Sequence, residues 1–431
     1  MANTVSAPRG TKDVLPEEVY KWHYIEATAR AVARDFGFRE LRFPTFEHTE
    51  LFVRGVGDTT DVVQKEMYTF EDKAGRSVSL RPEGTGSVVR SGLEHSLFNG
   101  TLPVKVYYIA PNFRYENPEA GRLREHHQFG VECFGSALPS ADAEVIALAS
   151  EYMRRLGVTK VELNLNSIGC PECRAAYLEK LREYFQSREE ELCSTCRERL
   201  VRNPLRVFDC KSGQCREVTN DAPKITEHLC GDCAEHFDKL RGYLDDFGIA
   251  YTVNPKLVRG LDYYTRTVFE FVSTDIGSQG TIIGGGRYDG LTEALGGAAV
   301  PALGFGSGIE RMLMVIEKQG GVIPGAEPPD LYIALADKAA ETLAAKLANE
   351  LRRFGIAVER DLTGRSLKAQ FKHADKLGAT YSIVIGGDEL ASGTAQLKNM
   401  RVKSDPQTVK LDADEIYKLI RGYSFHDIRT L

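Results

Sequence analysis

Eight of the nine cysteines in this chain lie between Cys170 and Cys233, as four close pairs: Cys170-x2-Cys173, Cys193-x2-Cys196, Cys210-x4-Cys215 and Cys230-x2-Cys233. No other feature constrains the fold as much. A CxxC turn aims two sulfurs at one ion, each at about 2.3 Å, and two such turns complete a closed tetrahedral shell. A short, charge-rich stretch gains folding free energy from such an ion. Four pairs would build two shells, or one shell with spare cysteines, and spacing leaves their pairing open. Buried thiols, redox pairs and iron–sulfur ligation are the alternatives. All eight are candidate ligands and Zn2+ is the candidate ion. A shell of four cysteines has no open position, so the metal would be structural. Cys133 stands apart in an apolar strand and reads as core.

This module reads as an insertion. Residues 1–168 form the first part of a core, 169–245 the cysteine-rich helical module, 246–322 the rest of the core, and 328–431 a small C-terminal α/β domain. The 431 residues suit two or three domains. Hydrophobic residues at 42% and charged residues at 27% are ordinary for globular chains. A net charge of -6 gives no support for nonspecific nucleic-acid binding, although a local basic patch is compatible with it. The stretch MANTVSAPRGTKDVLP lacks the apolar core of a secretory signal. No run approaches the roughly 18 apolar residues that cross a bilayer. The expectation is a cytoplasmic protein with no membrane segment and no disulfide framework.

Pro16 reads as a first-turn helix residue, and Trp22, Ile25, Ala29, Val32 and Phe36 recur at helical spacing before Gly37. Residues 38–43, up to Pro44, read as a strand. Val104 to Ile109 and a segment near 128–134 read as an antiparallel hairpin with a charged tip, Glu116 to Glu125. Val161 to Asn166 alternates as a strand. Residues 259–308 read as glycine-rich loops, and a helix carrying Arg311 follows Gly308. Past a Gly/Pro linker at 318–329, strands at 331–335, 356–359, 381–385 and near 394–399 alternate with helices at 338–353, 366–377 and about 413–421. That alternation predicts a mixed sheet. This last domain has 16 Lys and Arg against 14 Asp and Glu, a slight lean towards RNA.

Two glycine runs invite a phosphate reading. Gly284-Gly285-Gly286-Arg287-Tyr288 matches neither a P-loop nor a dinucleotide fingerprint. Gly304-Phe305-Gly306-Ser307-Gly308 enters a helix bearing Arg311, where backbone N–H groups and a guanidinium favour anions. Arg114, Arg122 and Arg124 flank the hairpin tip as solvated charge or as a triphosphate clamp, and spacing does not decide between them.

The separated motifs together resemble the histidyl-tRNA synthetases of the bacterial type. Pro44 is similar to the proline of class II motif 1, which lies at a dimer interface. Phe113-Arg114-Tyr115-Glu116 with Gln128-Phe129-Gly130-Val131-Glu132 resembles motif 2, and Gly304 through Arg311 resembles motif 3. Leu257 to Thr265 and Gly284 to Asp289 are similar to the two histidine signatures. The resemblance implies an α+β fold: a class II core of six or so antiparallel strands with a helical insertion, plus a C-terminal anticodon-binding domain. It also implies a homodimer that uses ATP, Mg2+, histidine and histidine tRNA.

The resemblance implies that histidine's carboxylate attacks the α-phosphorus, that pyrophosphate leaves, and that the aminoacyl group passes to the 3′-hydroxyl of the tRNA. The resemblance places Arg114 and Arg259 on opposite sides of the α-phosphate, Arg311 on the γ-phosphate and Arg122 on the outer phosphates, with Arg259, Arg114 and Arg311 catalytic. Glu116 would face the adenine amino group. Glu132 and Tyr264 would address the imidazole, Glu83, Gln128 and Thr85 the α-amino group, and Arg259 and Tyr263 belong to the same histidine set. Where the family usually shows Arg-Gln-Phe-His-Gln, this chain has Arg124-Glu125-His126-His127-Gln128. His126 therefore replaces the phenylalanine that stacks on adenine, and ATP affinity or its pH dependence is expected to differ. Catalytically silent relatives that regulate histidine biosynthesis usually lack the anticodon domain and parts of the signatures, and this chain keeps both.

Overall fold

Alternation along one strand sets the layout of the core. In Glu125–Phe134, Phe129, Val131 and Cys133 enter one hydrophobic layer, while His126, Gln128 and Glu132 point to the other face of the sheet. The computed structural model describes residues 5–58 and 60–423, apart from the side chains of Ser278 and Gln279. Residues 1–324 and 325–431 form two units.

The first unit is built on an eight-stranded sheet. Its order is Arg39–Glu40, Val104–Phe113, Glu125–Phe134, Ala302–Gly308, Thr281–Arg287, Thr265–Val272, Glu162–Ser167 and Thr252–Val253. The six central strands are antiparallel, and the two-residue strand at each edge pairs parallel. Helices Val19–Asp35, Pro139–Arg155 and Ile309–Lys318 cover one face through Ile25, Val32, Ile146, Tyr152, Met312 and Val315. Helix Thr85–Glu94 contributes Val88 and Val89 to a smaller cluster on the opposite face, with Tyr108, Val268 and Tyr288.

The sequence reading needs correction at several points. The glycine runs are strands, Thr281–Arg287 and Ala302–Gly308, and not loops. They lack side chains because other groups occupy the space: a Cβ on Gly284 would stand 2.4 Å from Arg259, and one on Gly306 would stand 3.3 Å from Gln128. Glycine in a strand marks this kind of close approach. Pro16 lies in a turn before the helix, which starts at Val19 after Leu15 O accepts from Glu18 N and Val19 N. Of residues 38–43 only Arg39–Glu40 is strand, because the segment has a neighbour on one side only.

The cysteine module contains helices Pro171–Gln186, Ser194–Arg202, Gly213–Asn220 and Gly231–Asp246 around its own core of Tyr177, Leu181, Phe185, Leu200 and Val207. Phe237, Leu240 and Leu244 of its last helix enter the main core.

The second unit has a mixed five-stranded sheet, in order Val358–Arg360, Leu331–Leu335, Tyr381–Ile385, Thr394–Asn399 and Gln407–Lys410. The first three strands run parallel and the last two antiparallel. Helices Glu341–Arg353 and Ala413–Arg421 pack on one face. The sequence reading missed the strand Gln407–Lys410 and the helix Gly387–Ser392. Both are too short for a periodic signal. Among the described residues no helix is long and apolar enough to cross a membrane.

Candidate active site

The face of the sheet left open by its glycines carries a cavity of about 340 Å³. Four guanidinium groups reach it from four segments: Arg114 and Arg122 from the hairpin and its tip, Arg259 from the segment before Thr265–Val272, and Arg311 from the first turn of Ile309–Lys318. Glu116, His126, Gln128, Glu270 and Glu310 line it as well.

Each arginine is braced. Arg114 Nε donates to Pro82 O at 2.8 Å. Arg311 donates from Nε to Gly121 O at 2.9 Å and from Nη1 to Thr281 O at 2.8 Å. Burial, and then the charges of Arg122 and Arg114, pull its pKa below the ordinary arginine value. Arg259 Nη1 pairs with Glu270, whose other oxygen accepts from Thr281 Oγ1 at 3.1 Å. Arg122 pairs with Glu116. Carboxylates thus neutralise part of a cationic cluster whose like charges would otherwise repel. Arg124 does not join it. That guanidinium lies 3.8 Å over the Tyr115 ring, and its Nε donates to Glu116 O at 3.2 Å.

Beside the cavity lies a buried polar cluster. Glu83 accepts from Thr85 N and Gly86 N, both at 2.7 Å, at the start of helix Thr85–Glu94. Burial raises its pKa despite those two bonds. Thr85 Oγ1 donates to Glu132 Oε1 at 2.7 Å, and the Tyr288 hydroxyl donates to Glu132 Oε2. Burial pushes Glu132 up to about 8, against the opposing pull of those two hydroxyls. The Tyr263 ring lies 4.7 Å from that of Tyr264, tilted against it, and meets Tyr288 edge-on at 5.5 Å, and the Arg259 guanidinium lies 5.8 Å from the Tyr264 ring.

The residues expected for phosphates, Arg114, Arg122, Arg259 and Arg311, therefore share one cavity with Glu116, His126 and Gln128. Of the residues expected for histidine, Gln128 and Arg259 line the cavity, while Glu83, Thr85, Glu132, Tyr263 and Tyr264 do not. His126 lies within the guanidinium cluster, and burial, then Arg114 and Arg311, hold its pKa well below the ordinary value. That environment disfavours the charged imidazolium at this position.

Sequence reasoning passed over Glu270, Tyr288, Asn112 and Arg81. Asn112 Nδ2 donates to Gln128 Oε1 at 2.8 Å and aims that amide. Arg81 is 3% exposed and ties the carbonyls of Phe43, Pro44 and Pro111 together. Tyr288 stands inside the second glycine signature, which was its available signal. Glu270 had only its place on the site face of a strand. Arg287 of the same signature turns away from the cavity into a fully buried pair with Asp142.

The eight module cysteines fall into two groups of four, Cys170, Cys173, Cys230 and Cys233, and Cys193, Cys196, Cys210 and Cys215, with sulfurs in each group within 4.8 Å of one another. A tetrahedral zinc shell needs about 3.8 Å between sulfurs, so both groups fit one ion each with small side-chain adjustment. In three pairs the first cysteine caps a helix and the second lies in its first turn. Helix starts favour thiolates. Burial pushes Cys170 up, but N–H groups of Cys173 and Glu172 outweigh it and bring it down to about 7. Backbone N–H groups also point at sulfur, from Cys230 to Cys173 at 3.0 Å and from Cys193 to Cys215 at 3.3 Å.

A family model described as histidyl-tRNA synthetase matches residues 10–312, and one described as an anticodon binding domain matches 321–422. The histidine–tRNA ligase of Acetivibrio thermocellus is 54% identical over 406 residues, covering 94% of this chain and 97% of that protein. The histidine–tRNA ligase of Caldanaerobacter subterraneus subsp. tengcongensis is 53% identical over 416 residues, covering 96% and 99%. The apo histidyl-tRNA synthetase of S. aureus superposes with a TM-score of 0.81 at 38% identity, covering 97% of this chain and 100% of that one.

Proposed function

The chain belongs to the class II histidyl-tRNA synthetases of the bacterial type, and from that premise we propose how its own residues divide the work. It is a histidine–tRNA ligase, which converts histidine and ATP to histidyl-adenylate and pyrophosphate and then moves histidine to tRNA. The observation that carries the residue-level reading is the convergence of four guanidiniums on one 340 Å³ cavity beside a buried carboxylate–tyrosine cluster.

In the first step an oxygen of the histidine carboxylate bonds to the α-phosphorus and the bond to the bridging oxygen of pyrophosphate breaks. Arg114 and Arg259 flank the α-phosphate, where negative charge grows in the transition state, and fixed cations lower that barrier. Arg311 takes the γ-phosphate and Arg122 the outer phosphates. Their forked donors suit phosphate oxygens. Phosphate replaces Glu116 on Arg122, and the freed carboxylate accepts from the adenine amino group. Neutral His126 stacks on adenine without adding a fifth cation. Glu270 and Glu310 are the cavity carboxylates that could face Mg2+ held by the triphosphate, and the ion would neutralise phosphate charge.

Glu132 and Tyr264 meet the two imidazole nitrogens, and Glu83, Gln128 and Thr85 hold the α-amino end. A ring without both nitrogens leaves buried polar groups unpaired, which is the basis of selection. Gln128 lines the cavity, and the buried Glu83, Thr85 and Glu132 lie next to it. Transfer goes to the 3′-hydroxyl of the terminal ribose. The adenylate is already activated, so positioning suffices. The C-terminal unit reads the unstacked anticodon bases.

The two cysteine groups each hold one structural zinc ion. Such thiolate sites persist in a reducing compartment, in keeping with the cytoplasm. The chain acts as a homodimer. The three-stranded sheet that follows Pro44 leaves Phe46 56% and Phe70 49% exposed, an apolar face suited to a second copy.

The test is ATP–pyrophosphate exchange on purified protein. Exchange with histidine and with no other amino acid is the expected result. Folded protein without exchange would leave the residue roles wrong and favour a regulatory relative.

A further inference from the structure

Between Cys196 and Cys210 the cysteine module grips the segment that carries Arg259, Tyr263 and Tyr264. Arg206 Nη2 donates to Gly260 O at 2.8 Å and pairs with Asp262 Oδ1 at 3.2 Å. Asn203 Nδ2 donates to the same carboxylate oxygen at 3.4 Å. Arg199 Nη1 supports Arg206 through its carbonyl at 3.1 Å, and Arg199 Nη2 pairs with Asp61 at 3.6 Å. One residue past Cys173, Arg174 Nη1 donates to Asp262 O at 3.4 Å and Tyr264 O at 3.2 Å. Asp262 Oδ2 fills the place where a Cβ on Gly57 would stand, 2.9 Å away, at a φ of +102°. Residues 257–264 belong to no helix or strand. Their position therefore rests on contacts of this kind, and three module side chains, Arg174, Asn203 and Arg206, supply them.

The connection to the cysteines is direct. Arg199, Asn203 and Arg206 all lie in the stretch between Cys196 and Cys210, and both of those cysteines belong to the same group of four. One ion bound there anchors both ends of that stretch and so sets the Arg206 guanidinium against the core. Arg206 is 15% exposed and does not line the cavity, so it acts through Gly260 and Asp262 and not on the substrate.

We propose that Arg206 is a positioning residue for histidine binding, and that the metal held by Cys193, Cys196, Cys210 and Cys215 keeps it in place. This rests on the zinc reading above. Loss of the ion frees residues 197–209, releases Gly260 and Asp262, and lets Tyr263 and Tyr264 drift from the imidazole. ATP contacts from Arg114, Arg122 and Arg311 come from other segments and hold the ATP KM, while Arg259, which lies in the released segment, is displaced with it and kcat falls as well.

The experiment measures KM for histidine and for ATP in pyrophosphate exchange, with metal counted by elemental analysis on every sample. Arg206→Ala is expected to raise the histidine KM about tenfold, as loss of a charge-assisted hydrogen bond does, with ATP KM and metal content unchanged. Arg206→Lys recovers part of the loss. Wild type stripped by a chelator shows the same split, zinc readdition reverses it, and stripping Arg206→Ala adds little more. An unchanged or lower histidine KM in metal-replete Arg206→Ala overturns the proposal and leaves the zinc reading standing. An unchanged histidine KM in stripped, folded wild type overturns the link to the ion. Protein that holds no metal as purified overturns the zinc reading and this proposal with it.

Discussion

The Tyr288 hydroxyl donates to Oε2 of Glu132, and Thr85 Oγ1 holds Oε1, so both oxygens of a carboxylate that is 1% exposed are engaged before any substrate arrives. Burial sets the charge state of this group. Its pKa of about 8 lies above the unfolded value of about 4.3. Between those values the native state keeps a proton that the unfolded chain has released. Stability therefore falls as pH rises through this window, and the loss is complete above about 8. Glu132→Gln never ionises, so its melting temperature should depend less steeply on pH between 5 and 8 than that of the wild type. Calorimetry at four pH values checks this, and parallel curves would remove Glu132 as the source.

Arg287 and Asp142 form a pair with side-chain exposures of 0% and 1%. Arg287 also donates to Ser136 O at 2.9 Å and Leu138 O at 3.0 Å, and His236 Nε2 lies 3.4 Å from Asp142. Burial raises the Asp142 pKa, but Arg287 and then His236 hold it below the usual carboxylate value. Arg287→Met should cost about 3–5 kcal/mol, because it strands a buried carboxylate. Denaturant unfolding measures it. Adding Asp142→Asn should return part of that stability.

Arg259 is placed by Glu270 and by the absence of a side chain at Gly284. Arg259→Ala should lower kcat for exchange about 100-fold or more, as removing a group aimed at developing charge does. Lysine at this position should recover little, since it lacks the fork. Steady-state kinetics that show only a raised KM would place Arg259 in ground-state binding.

His126 is kept neutral by burial and by Arg114 and Arg311. The ratio of ATP KM between wild type and His126→Phe should therefore stay constant from pH 6 to pH 8. A ratio that climbs towards pH 6 would reveal an imidazole that titrates at this site.

Three module helices start at cysteines of the two proposed zinc groups. Chelation should lower the melting temperature and release two metal ions per chain, counted with a colorimetric indicator. One ion per chain would mean that one group of four is simply a set of reduced thiols.

Much of the site could be read along the chain, for reasons specific to each residue. Arg114 and Glu116 directly follow the strand Val104–Phe113, and alternation on its partner Glu125–Phe134 already places Gln128 and Glu132 on one face. Arg311 follows glycines into a helix start. Glu270 was not legible, because its role comes from Arg259, which reaches it from a segment without regular structure. The glycine runs were misread as loops, since glycine signals flexibility in isolation and clearance beside a neighbour, and the neighbours are Arg259, Gln128 and Glu132. Arg124 looked equivalent to Arg114 and Arg122, yet it stacks on Tyr115 instead.

The sequence by itself determined the order of most elements and the presence of paired cysteines, while its motifs, by resemblance, gave the family. These are matters of periodicity and spacing over a few residues. Only the tertiary structure decided which cysteine pairs come together, because Cys173 meets Cys230 through the path of the helices between them. It also decided that Arg287 turns inward while Arg259 faces the cavity, and that Glu132 holds a proton near neutral pH. Each of these depends on burial and on partners distant in the chain, which local residue patterns do not encode.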